Sequence, residues 1–167
     1  MTVDELIINP DALHSIYGAA PVLGDVVRVR SININWRGPT VTLRVDLPYF
    51  PEAAPQSWLD ASLDTVQCHL QFLAVENMTI QAWEPPATAR IEAAPQRDRG
   101  SVHIRAKSDT IDLAFECSDS VVIGHLSAFR IHSDGSDSGP RSFLSRLDAL
   151  RHSSLPETCE KTYYEHA

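Results

Sequence analysis

The clearest signal in the chain is a repeated alternation of apolar and polar positions. Val41, Leu43, Val45 and Leu47 alternate with Thr40, Thr42, Arg44 and Asp46, the period of a strand with one face against a core. The preceding run, Val26 to Trp36, also alternates, with Arg28 and Arg30 set among Val27 and Val29. Its phase then slips, because Ile32, Ile34 and Trp36 occupy the other parity. A bulge or twist near Ser31 accounts for that slip. Arg37-Gly38-Pro39 turns the chain between these runs, which predicts a hairpin. Val66, Cys68, Leu70 and Phe72 mark another strand, and Met78, Ile80 and Ala82 begin the next, which Pro85-Pro86 breaks. Three more alternating runs cover 89–93, 102–106 and 111–117, with turn material at 96–100 and at Ser108-Asp109. A last strand, Val121 to Ile131, is apolar on both parities and is expected to be central or covered on both faces.

Helical signals are short and lie near the two ends. Asn9 can cap a helix whose first residue is Pro10, Asp11 suits its positive end, and Leu13, Ile16 and Tyr17 share one face before Gly18. Phe143, Leu144, Leu147 and Leu150 follow a helical period near the other end. Between Leu47 and Trp58 prolines 48, 51 and 55 predict a rigid, aromatic-bearing excursion over an edge of the sheet. Residues 133–140, rich in Ser, Gly and Asp, read as a solvated loop. The pattern amounts to about eight strands at antiparallel spacing, with no helix between successive strands, so βαβ winding is not expected. The expected fold is mainly β (α+β): an antiparallel β-sandwich or strongly curved sheet with a short N-terminal and a short C-terminal helix. One β-rich domain over 1–152 and a polar, acidic tail over 153–167 are the expected divisions.

Composition narrows the choice of partners. The 167 residues are 43% hydrophobic and 22% charged, enough to bury one proper core. Fourteen Lys and Arg face 22 Asp and Glu, a formal charge of −8. Such a surface repels phosphate backbones, so neither nucleic acid nor an anionic membrane is an expected partner, and a basic protein is. Cys68, Cys117 and Cys159 are odd in number and lack C-x-x-C spacing, which argues against a disulfide framework or a zinc site. The N-terminus has no basic region and only a short apolar run, so a signal peptide is not expected and a cytoplasmic location is the default.

Candidate chemistry is sparse. There is no G-x-S-x-G, H-E-x-x-H, P-loop or G-x-G-x-x-G motif. His69, His103 and His125 lie on separate predicted strands and are expected to be exposed or at the core edge. His69 and Cys68 have opposite parity and cannot share a metal from a regular strand. Asp134-Gly135-Ser136-Asp137 lacks the acid pattern of a calcium loop and reads as linker. Asp112 and Glu116 share parity, but about 13 Å of extended strand between them makes a solvated row rather than an acid–base pair. Cys68 and Cys117 are expected to be small core residues. No catalytic residue, cofactor or metal is expected. Trp36, Trp58 and Trp83 pack in or beside the core by default, and any that is exposed beside acids becomes a hot spot for a protein partner.

Asn9-Pro10, Leu13, Tyr17-Gly18 and Pro21, then 37–48 (RGPTVTLRVDLP), Phe50-Pro51 and Trp58, resemble the immunity protein 50 family. The later 64–68 (DTVQC), Trp83 and Ser127-Ala128-Phe129 are similar too, so the likeness covers roughly 6–132. The resemblance implies a bacterial, non-enzymatic protein of a polymorphic toxin system that binds and neutralises a toxin encoded nearby. The family has no catalytic motif to transfer. The expected partner is a cognate toxin domain, basic in charge; homo-oligomerisation is left open. Trp58, as an aromatic anchor, with Asp60, Asp64, Asp109, Asp112 and Glu116 as charged contacts, are the candidate partner-binding residues. Two other readings stay open: a small-ligand binding β-domain, and a hydrolase with a spatially assembled His/Cys or carboxylate site.

Overall fold

A computed structural model describes residues 1–97 and 100–151. The polar tail expected over 153–167, with Cys159, lies outside the described residues. A 3-10 turn, Val3–Leu6, leads into α1 (Asp11–Tyr17). The strands are β1 (Val26–Asn35), β2 (Thr40–Asp46), β3 (Thr65–Phe72), β4 (Glu76–Trp83), β5 (Ala87–Pro95), β6 (Ser101–Lys107), β7 (Ile111–Ser118), β8 (Val121–Phe129) and β9 (Arg141–Phe143). Two more short helices are α2 (Gln56–Asp60), which the proline-rich excursion was not expected to contain, and α3 (Arg146–Arg151). Proline 55 is tolerated there because it sits at the cap, ahead of the first helical residue. The expected C-terminal helix therefore starts later than its apolar period, and Phe143 belongs to β9 instead.

All nine strands pair antiparallel in the order β4-β7-β6-β5-β1-β2-β3-β8-β9. β4 and β9 stand at opposite ends of that order, so the sheet is not a closed barrel. β5 is the pivot: residues 87–90 pair with β1 and residues 91–95 with β6. The sheet bends enough that Phe72 of β3 meets Phe115 of β7 edge to face, with ring centroids 5.1 Å apart. Both rings are fully buried, among Leu43, Leu70, Ile104 and Leu113.

The phase slip in β1 is a bulge. Val29 pairs with Val45 and Ser31 with Arg44, leaving Arg30 as the extra residue. A second bulge lies in β8: Gln67 opposes Ser127 and His69 opposes Gly124, so His125 and Leu126 face the single residue Cys68. His125 takes φ +50 there, a left-handed conformation that a non-glycine residue adopts only where its surroundings impose it. Asn9 does not cap α1. Pro10 is the cap residue, and the Asn9 amide instead clamps β8, donating to the Ile123 carbonyl (2.8 Å) and accepting from the Ile123 N–H (2.9 Å). Gly18, at φ +71, ends α1 as its sequence position predicts.

Candidate functional site

Chemistry-bearing side chains gather on the face of β1, β2, β3 and β8 that points away from the core. Alternation puts Arg28, Arg44, Asp46, Gln67, His69, Ser127 and Phe129 there, and cross-strand register stacks Arg28 on Asp46, Asp46 on Gln67, Arg44 on His69 and Gln67 on Ser127. The two bulges add Arg30 and His125. Arg30 Nε and Nη2 both donate to Asp46 Oδ2, at 2.8 and 2.6 Å, and Gln67 donates to Asp46 Oδ1 at 2.8 Å. Asp46 is only 3% exposed, so these donors replace the water it has lost.

The segment after β8 closes over this face. Asp137 accepts from Arg44 and from Gln67 (2.9 Å), with Arg30 3.7 Å away, while Arg141 reaches Gln67 Oε1 and Ser127 Oγ, both at 3.0 Å. Arg30 and Arg141 lie over the Phe129 ring, 5.6 and 5.0 Å from its centroid. Burial raises the Asp137 pKa, but the Gln67 hydrogen bond and the charges of Arg44, Arg30 and Arg141 outweigh it and hold the carboxyl below its ordinary value. The expectation of a solvated linker at 134–137 therefore fails for Asp137, because arginines from two strands and β9 draw it inward. Four arginines (28, 30, 44 and 141) meet two aspartates (46 and 137), leaving an excess of positive charge on this face of an acidic chain.

His69 and His125 are likewise not at the surface. Their rings meet edge to face at 4.7 Å, and His125 Nδ1 lies 3.0 Å from Asp148 of α3. All three residues are at most 4% exposed. The pairing of either histidine with Cys117 does not form: Cys117 faces the core from β7, opposite Val102. Cys68 and Cys117 are buried as expected; burial pushes the Cys68 thiol up, and Cys117 up to about 12, so neither is a ready nucleophile. A cleft of about 270 Å³ adjoins the polar face beside Arg28, Asp46, Asp64 and Thr65. That is below the roughly 300–1,000 Å³ of ordinary small-ligand pockets.

The candidate partner contacts separate. Trp58 is 1% exposed and packs near Phe50, centroids 6.3 Å apart, because α2 folds the excursion back onto the core. It presents no surface, which corrects its assignment as an anchor. Asp60 is exposed and bonded to Gln56; Asp64 accepts from the Ile131 N–H at 2.9 Å. Asp109, exposed, sits in the β6–β7 turn, Asp112 lies 3.4 Å from Lys107, and Glu116 accepts from Asn77 and Gln96. The last three form one group along β7, separated in the sheet from Asp60 and Asp64 near β3.

The exposed indole is Trp36, 78% accessible at the tip of the β1–β2 hairpin. Ile34 (55%) and Ile80 of β4 (43%) are exposed as well. Ile34, Trp36, Val41, Val75 and Met78 line an apolar groove of about 220 Å³. The parity of Ile34 and Trp36 points them to the core side, but the hairpin outruns the layer that would cover them.

The model of one family, Immunity protein 50, matches residues 9–125, most of the chain. The chain belongs to the immunity protein 50 family. No curated protein and no solved structure matches it. The stretch matched to immunity protein 50 includes the hairpin, β4 and, of the polar face, Arg28, Arg30, Arg44, Asp46, Gln67, His69 and His125; Ser127, Phe129, Asp137, Arg141 and Asp148 follow it. No helix among the described residues is long and apolar enough to cross a membrane.

Proposed function

We propose that this chain is a non-enzymatic immunity protein that binds a cognate bacterial toxin domain and neutralises it by occlusion, in the cytoplasm of the cell that makes both. The observation that carries the reading is the family match over 9–125. The charge of −8 supports a basic toxin, since opposite potentials accelerate encounter and penalise wrong partners. Asp60, Asp64, Asp109, Asp112 and Glu116 supply negative surface for that encounter, with Trp36 in the anchoring role first given to Trp58. The closed His69–His125–Asp148 group and the protonated thiols are in keeping with binding rather than turnover.

The test is co-expression with the product of the adjoining toxin gene. The expected result is a stoichiometric complex, restored growth of cells carrying the toxin, and affinity that falls as salt rises. A functional toxin neighbour that neither binds nor is neutralised overturns the reading; affinity indifferent to salt removes the electrostatic part alone.

A further inference from the structure

We infer that the toxin docks on the surface formed by the β4 edge and the groove under the β1–β2 hairpin tip, through a basic segment that carries an apolar anchor. This rests on the immunity reading above and assigns it an interface. β4 stands at one end of the strand order, and no described strand pairs with its outer side. Its eight residues include no Lys, Arg or Pro, the usual guards of a free edge. Bulges at Asn77-Met78 and at Gln81 interrupt its ladder with β7, so backbone pairing by a partner is confined to short stretches. The groove then supplies the anchor. Val41, fully buried, forms part of its wall, so an inserted side chain continues the core, while Ile34 and Trp36 line it and stay exposed, and Ile80 is exposed two residues along β4 from Met78 in the groove lining. Exposed apolar surface concentrated in this way marks a partner site rather than chance exposure.

Charge selects the occupant. Glu76 and Glu84 bracket β4, and Asp112 and Glu116 lie on β7 beside it, while neither strand carries a Lys or Arg. Lys107 sits beside Asp112, and the cation at the tip, Arg37, is stacked on Trp36 at 5.3 Å. A second copy docked on the same surface would set these carboxylates against one another. A segment with Lys or Arg flanking an apolar side chain meets complementary charge and a groove of matching character.

The probe is the toxin domain encoded beside this chain. Trp36→Ala and Ile80→Lys are each expected to weaken its affinity at least about 30-fold, a hot-spot loss, and Glu76→Lys to slow association; Glu92→Gln, on the outer face of β5, should leave both unchanged. As a measurement without variants, hydrogen exchange of the wild-type complex should show new protection over 34–40 and 76–83. Binding that is insensitive to Trp36→Ala and Ile80→Lys, with protection elsewhere, overturns this surface and leaves the immunity reading standing. A chain that dimerises through Trp36 on its own makes the occupant a second copy and overturns the inference. Absence of any toxin binding by the wild type overturns both proposals together.

Discussion

The outward faces of the two halves of the sheet share an alternating pattern but have opposite fates. On β5 and β6 the residues between core positions include Arg90, Glu92, Arg105 and Lys107, exposed and mixed in sign, and on β7 those positions are half-buried. On β2, β3 and β8 the equivalent positions hold Asp46, Gln67, His69 and Ser127, all at most 4% exposed. The difference lies in what covers them. Nothing described lies over the first face, whereas residues 132–148 bring Asp137, Arg141 and Asp148 onto the second. Polar residues buried in this way need partners, so the covered face is tied together by the contacts around Asp46 and Asp137, whereas the open face holds independent side chains and local pairs such as Lys107–Asp112.

The largest effect is expected from Asp46→Ala. It strips the principal partner from Arg30, which is 6% exposed, and should cost about 3–5 kcal/mol in chemical denaturation, the usual penalty for orphaning a buried charge. Glu92→Ala on the open face should stay within about 0.5 kcal/mol. Equal costs for the two would break the contrast between network and independent side chains. Asp137→Asn comes next, at about 1–2 kcal/mol, reduced because its side chain is 19% exposed and partly screened.

The same residue gives a pH signature. The folded Asp137 carboxyl titrates below its ordinary 3.8, so its stabilisation is complete above that value and is lost as pH falls through the lower folded value. Wild-type and Asp137→Asn stability curves should therefore approach one another below about pH 4 and separate above it. Parallel curves across that range would show that Asp137 does not hold the cover through its charge. A stability effect as small as that of Glu92→Ala is expected for Trp36→Ala, within about 0.5 kcal/mol by thermal or chemical denaturation. A larger loss would mean that the exposed indole supports the hairpin rather than awaiting a partner.

Several of these features were legible in the residues alone. The slip of parity around Ser31 reported a bulge because side chains alternate strictly, and one inserted residue is the simplest way to change phase. Apolar residues on both parities of β8 reported burial on both faces, since only a covered strand tolerates them. The indoles misled for opposite reasons. Trp58, set among prolines, reads as surface excursion, yet α2 folds it into the core. Trp36 has core parity, yet its strand extends beyond the opposing layer. Asp137 and Asn9 carry no local mark of their roles, because their partners are contributed by β2, β3 and β8 far along the chain.

The sequence by itself determined β1 to β8 but not β9, the two bends marked by Arg37-Gly38-Pro39 and Pro85-Pro86, most of the inward set of apolar side chains, the acidity and the family, because periodicity, turn chemistry and motif order are local or cumulative properties. Only the tertiary structure decided which polar residues leave water and which apolar ones stay in it. That choice depends on whether a distant segment, here 132–148 over one face and none described over the β4 edge, arrives to cover them.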